Sequence, residues 1–204
     1  MTIMLAFDAD QDVSRVLPKA KAGGVVAVPR YLKNLSASEV AAISAAGMKI
    51  VSIFETTAKR ALGGPIAGAQ DGAKALQMAR ALKQPQGSAI YATADFDVLP
   101  ADQSAVLAYF VAFKTALNPT YATPAPYTLG VYANGAICQA ALDRGIADYT
   151  WLAGGMGMRG SRDFAQSGCA TMIQDVGDRQ HLNLGISIDS DQIEAADFGG
   201  WCLT

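Results

Sequence analysis

Apolar and polar positions along this chain fall into short apolar runs of five to eight residues, rich in Val, Ile, Ala and Tyr, separated by longer Ala-rich stretches of helical periodicity. The runs predict strands at Ile3–Asp8, Val25–Tyr31, Met48–Glu55, Ser88–Asp95, Tyr127–Tyr132, Asp148–Leu152, Ala170–Asp175 and Gly185–Asp189. Helices are predicted between them at Asp12–Ala22, Ala37–Ala46, Ala69–Lys83, Ala101–Leu117 and Gly135–Arg144, with a shorter one at Arg162–Ser167. Ser36 and Glu39 have capping-box spacing, Gly47 stands where a helix-terminating glycine belongs, and Pro100 suits a first helical turn. Strand and helix in alternation is the pattern of a parallel sheet covered by helices. Eight strands give an α/β fold, a single (β/α)8 TIM-type barrel over residues 1–204 with an irregular last crossover. A doubly wound open sheet is the alternative.

Three of the predicted strands end in acids two residues apart: Asp8 and Asp10, Asp95 and Asp97, Asp189 and Asp191. Side chains at i and i+2 of a strand share a face, so each pair is expected to aim two carboxyls at one spot. In a barrel that spot is the rim formed by the strand C-termini, where the loops Leu62–Gly68 and Ala153–Gly160 also fall. Ile90, Ala92, Ala94 and Phe96 would occupy the opposite face and leave Asp95 and Asp97 toward the barrel mouth. Clustered carboxyls shift one another's proton affinity, and a protonated acid beside a carboxylate is what glycosidic bond hydrolysis requires. A helix cap or turn before Pro100 is the plainer reading of Asp95 and Asp97.

Around these acids stand other candidates. Glu55 ends the third strand and is either a reserve acid with longer reach or a solvated side chain. Arg30 either faces the acids, fixing one as the charged partner, or forms a structural ion pair on the rim. Tyr132, Trp151 and Gln174, at the ends of strands five to seven, suit stacking on and hydrogen bonding to sugar rings, although Trp151 is equally explained as packing. Asp189 would position substrate. Tyr31 and Tyr91 read as packing residues.

Composition narrows the field. The chain of 204 residues is 51% hydrophobic and 17% charged, which is globular, and its net charge of -2 comes with no cluster of Lys and Arg to grip nucleic acid. No apolar run approaches the roughly 20 residues of a membrane span, and no signal peptide is visible. The protein is therefore expected to be cytoplasmic as synthesised, leaving the cell only by a non-classical route. Cys138, Cys169 and Cys202 lack metal-ligand spacing and read as reduced and structural. His181, the single histidine, has no nucleophile motif nearby and reads as a loop residue. No metal or cofactor is implied, although a metal-dependent phosphoesterase using the acids as ligands is a third reading beside hydrolase and saccharide binder.

In order along the chain, Ala6-Phe7-Asp8, Pro29-Arg30-Tyr31-Leu32, Ile53-Phe54-Glu55, Ala89 to Asp97, Gly130-Val131-Tyr132, Trp151-Leu152-Ala153, Ile173-Gln174, Ile188-Asp189 and Gly200-Trp201 resemble the glycoside-hydrolase-like domains, formerly a domain of unknown function. These are distant relatives of the family-25 glycoside hydrolases, the Chalaropsis-type lysozymes. The resemblance runs nearly end to end and implies a barrel with an acidic pocket at the strand C-termini. In the lysozyme relatives it implies cleavage of peptidoglycan, a polysaccharide substrate, with an Asp-x-Glu at the end of the fourth strand whose Glu donates the proton. Here Asp97 stands at that donor position, one methylene shorter, which withdraws the carboxyl by roughly 1.5 Å. The expectation is a lysozyme-like glycosidase with Asp97 as proton donor, Asp95 as partner and Asp8 and Glu55 in support. A noncatalytic carbohydrate-binding relative is the alternative.

Overall fold

A computed structural model describes residues 3–175 and 182–203. Eight strands close into one barrel in sequence order. They are β1 (Met4–Asp8), β2 (Val25–Tyr31), β3 (Lys49–Phe54), β4 (Ala89–Thr93), β5 (Thr128–Ala133), β6 (Tyr149–Leu152), β7 (Met172–Asp175) and β8 (Asp189–Ile193). The helices are α1 (Leu17–Ala22), α2 (Ala37–Ala45), α3 (Gly64–Ala81), α4 (Gln103–Leu117), α5 (Gly135–Asp143) and α6 (Ser161–Ser167), with a 3₁₀ turn at Arg60–Gly63. Closure decides against the open sheet.

β1 to β7 run parallel, but β8 is antiparallel to both β7 and β1. The expected eighth strand, Gly185–Asp189, is displaced to Asp189–Ile193, so Asp189 begins the strand instead of ending it. Leu184, Ile186 and Ile188, in and beside that expected strand, pack in the outer layer with Phe7, Val13 and Leu17. Reversal of β8 still leaves Asp189 at the C-terminal rim of the parallel strands, directly opposite Asp8.

Inward-facing residues Ala6, Ala27, Val51, Tyr91, Trp151, Met172 and Ile193 fill the lower barrel, and Phe198 joins them from the C-terminal segment. The Tyr91 hydroxyl donates to the Phe198 carbonyl at 2.9 Å, and the Trp201 indole donates to Ser52 Oγ at 2.9 Å. Below the upper rim the interior is thus packed.

Two helix starts differ from expectation. Leu62–Gly68 is not simply a loop: α3 begins at Gly64 with Pro65 in its first turn. Gly68 and Gly72 lie inside that helix because α4 approaches so closely that a Cβ on Gly68 would come 2.1 Å from the Tyr109 carbonyl oxygen, and one on Gly72 2.5 Å from that of Phe113. Pro100 precedes α4, which starts at Gln103. Ser36 does cap α2, accepting from the Glu39 amide at 3.2 Å, and Gly47 follows that helix at φ +73°. Glu39, however, does not complete the capping box; its carboxylate serves Arg30.

Candidate active site

The open end of the barrel holds a cavity of about 200 Å³ lined by Asp8, Tyr31, Ile53, Glu55, Thr93, Asp95, Tyr132, Trp151, Gln174 and Asp189. Strand periodicity explains the set: Asp8 follows inward-facing Ala6, Glu55 follows Ile53, Thr93 and Asp95 continue from Tyr91, and Gln174 follows Met172. Four carboxyl groups, contributed from β1, β3, β4 and β8, therefore meet around one hollow.

A chain of hydrogen bonds ties the walls together. Gln174 Nε2 donates to Asp8 Oδ2 at 2.8 Å, while Gln174 Oε1 accepts from the Tyr132 hydroxyl at 2.7 Å and from the Gly154 amide at 3.4 Å. The Tyr132 hydroxyl also lies 3.2 Å from Asp95 Oδ1, so its single proton serves either partner. Trp151 forms the floor, edge-on to Tyr132 with ring centroids 5.1 Å apart and edge-on to Tyr91 at 5.9 Å.

Asp8 is only 6% exposed. Burial, opposed by the Gln174 hydrogen bond and reinforced by the charges of Asp189, Asp95 and Glu55, pushes its carboxyl up to about 7. Glu55, half-buried, is raised as well by burial and by the charge of Asp95, with the Thr93 hydroxyl and Lys33 acting the other way. Burial and the surrounding acids push the Tyr31 and Tyr132 hydroxyls far upward, so both remain proton donors. Among the described residues no three His, Cys, Asp or Glu side chains are placed to share a metal ion.

Two expected site residues are elsewhere. Asp97 does not line the cavity. β4 ends at Thr93, and the alternation that still carries Asp95 to the cavity is lost by position 97, where the carboxylate instead accepts from Asn134 Nδ2 at 2.9 Å and the Arg159 amide at 2.8 Å. Both bonds hold it well below the usual carboxylate range. It braces the loop after β4 against the N-cap of α5, which Asn134 provides. Arg30 also points away from the acids: fully buried behind β2, it donates to Glu39 Oε1 at 2.8 Å and Oε2 at 3.2 Å and to the Ala9 carbonyl. The structural ion pair is the correct one of its two readings.

Because Arg30 faces outward, Tyr31 faces in and lines the cavity, which corrects its reading as packing. Thr93 was likewise not anticipated. Both are legible only once the strand face is known, since neighbours on both faces of β2 and β4 are buried. Asp10 is exposed outside the cavity, and Asp191 lies fully buried beneath it. All three cysteines are free, with Cys138 buried and Cys169 exposed, so burial does not explain the latter. His181 lies outside the described residues.

A model of the Rv2525c-like, glycoside hydrolase-like domain family matches residues 21–193. The chain belongs to this family. Its fold is shared by the Tat-secreted protein Rv2525c of Mycobacterium tuberculosis, crystallised with L-tartrate, at a TM-score of 0.78 and 23% identity over 98% of each chain. The catalytic domain of endolysin ply40 from Listeria monocytogenes bacteriophage P40 aligns at a TM-score of 0.58 and 12% identity, covering 96% of this chain and 95% of that one. The modular autolysin LytC of Streptococcus pneumoniae, solved with a synthetic peptidoglycan ligand, aligns at 0.60 and 10% identity over 93% of this chain and 46% of its own. At such identities these likenesses speak for the barrel alone. No curated protein matches in sequence.

Proposed function

We propose that this Rv2525c-like domain is a glycoside hydrolase acting on bacterial cell-wall polysaccharide, with Asp8 in place of Asp97 as the proton-holding acid. The observation that carries this reading is a buried carboxyl of near-neutral affinity, Asp8, in one cavity with Glu55, Asp95 and Asp189. Protonated Asp8 delivers its proton to the glycosidic oxygen, and Asp95 or Glu55, two to three strands round the wall, supplies the carboxylate that stabilises the developing positive charge or activates water. Tyr132 and Trp151 offer ring faces and edges to the sugar, Gln174 hydrogen-bonds it, and Asp189 orients it. A hollow of about 200 Å³ is small beside the roughly 300–1,000 Å³ of common ligand sites, so one sugar unit enters while the chain lies across the mouth. The endolysin and autolysin neighbours make a peptidoglycan strand the leading substrate.

Release of reducing ends from purified peptidoglycan tests this. Asp8→Asn and Asp95→Asn should each lower it by about 10²–10⁴-fold, and unchanged release from both variants overturns the assignment. A second reading, noncatalytic saccharide binding, is favoured by one observation: the residue at the lysozyme donor position, Asp97, is bound to Asn134 and Arg159 outside the cavity. Calorimetric binding of muropeptides with no turnover on any glycan would establish it. Either role places the protein at the wall, and the Tat-secreted relative supports export; recovery solely from the cytosol in cell fractionation would count against that. Among the described residues, no helix is long and apolar enough to cross a membrane.

A further inference from the structure

Asp191 is the second inward-facing residue of β8, paired with Ala6 on β1 and with Gln174 on β7. It is wholly buried, and among the described residues neither of its carboxyl oxygens has a hydrogen-bond partner of ordinary geometry; the indole nitrogen of Trp151, likewise without one, is the donor that acts on it from β6. An ionised carboxylate in such surroundings is far costlier than the neutral acid. The titratable groups directed at it are Asp8 from β1, Asp189 from its own strand and Asp175 from β7. Burial first, then the charges of Asp8 and Asp189, hold its carboxyl well above the usual range, with the indole acting weakly in the opposite sense. The next inward-facing residue of β8 is Ile193, so the barrel interior tolerates an apolar side chain at this strand. A buried acid that the packing does not need is the mark of a site residue.

We propose that Asp191 is a positioning residue: it remains a neutral carboxylic acid beneath the cavity floor while Asp8, one inward-facing layer above it, gives up and recovers a proton. This rests on the acid chemistry assigned to Asp8 above, but the coupling between the two carboxyls does not depend on any substrate. When Asp8 ionises, its charge tightens the hold of Asp191 on its own proton, so the pair carries no more than one negative charge in the neutral range. By staying neutral, Asp191 adds no charge beneath Asp8, so the alkaline limit of the site is the ionisation of Asp8 alone.

Carboxyl carbon NMR of the full chain labelled at aspartate, titrated in the wild type, Asp8→Asn and Asp191→Asn, tests the pair. The Asp191 resonance is expected to stay protonated through neutral pH and to show a small inflection where Asp8 titrates, near 7. In Asp8→Asn that inflection disappears and the Asp191 transition moves down by roughly one pH unit. In Asp191→Asn the Asp8 transition persists and no second transition follows it. An Asp191 carboxyl already ionised at neutral pH, or one that ignores Asp8 in both the wild type and Asp8→Asn, overturns the proposal. Reducing-end release measured on the same samples separates the two readings: a coupled pair without turnover defeats only the hydrolase assignment, and turnover without coupling defeats only the pair.

Discussion

Asp8 and Asp189 stand directly opposite one another across the antiparallel ladder of β1 and β8, both at the mouth of the barrel. Burial is the main reason the Asp8 carboxyl holds its proton, and the charge of Asp189 across the ladder adds to it. The reversed strand is what permits it: with β8 antiparallel, its first residue meets the last residue of β1.

Asp8 therefore governs the pH response. Its affinity is about 7 in the fold against 3.8 in the unfolded chain, so the folded state holds a proton that the unfolded state releases, and stability falls as pH rises from 4 to 7. The fall attributable to this group is about 4 kcal/mol, and Asp8→Asn should flatten it in urea titrations across that range. The same variant should reduce glycan turnover by about 10²–10⁴-fold in a reducing-end assay.

Gln174→Leu should move the Asp8 midpoint above 7. Its amide donates to the Asp8 carboxylate at 2.8 Å and favours the charged form, so removing it favours the proton. Carboxyl NMR reads the shift directly; a downward movement would show that the hydrogen bond is not what opposes burial.

Asp97→Ala should act on stability and leave the Asp8 transition in place. Two loop contacts, to Asn134 and the Arg159 amide, are lost, costing about 1 kcal/mol because the carboxylate is exposed. Since its affinity is depressed, this contribution is present above pH 3.8 and disappears as pH falls through the folded value. Thermal melts at pH 7 and at pH 3 should differ for the wild type more than for the variant.

Arg30→Met should destabilise the fold by about 3–5 kcal/mol, because it strands the fully buried Glu39 carboxylate, whose remaining partner is the Val13 amide at 3.0 Å. Chemical denaturation measures the loss. Saccharide affinity of the folded fraction should match wild type, as Arg30 is outside the cavity.

Gly68→Ala should destabilise by about 1–3 kcal/mol, since the new methyl meets the Tyr109 backbone 2.1 Å away and α3 and α4 must part. An exposed control on the same helix, Gln77→Ala, should stay within about 0.5 kcal/mol in the same denaturation experiment.

Eight short apolar runs between helical stretches were enough for the sequence to specify an eight-stranded α/β sheet, as a barrel or as an open sheet, and periodicity with breakers put Asp8, Glu55, Asp95, Tyr132, Trp151, Gln174 and Asp189 at or near strand ends. What it did not carry is which face each neighbour takes where both faces are buried. Arg30 and Tyr31 are adjacent in a strand whose residues are nearly all buried, so no polar alternation distinguishes inward from outward. Nor did it carry the end of β4, which moved Asp97 out of the site, or the direction of β8, which set Asp191 beneath the acids. Those were decided by tertiary structure: the register of non-local strand pairs and the burial of Glu39 against β2 depend on contacts between residues distant in the chain, which no local pattern encodes.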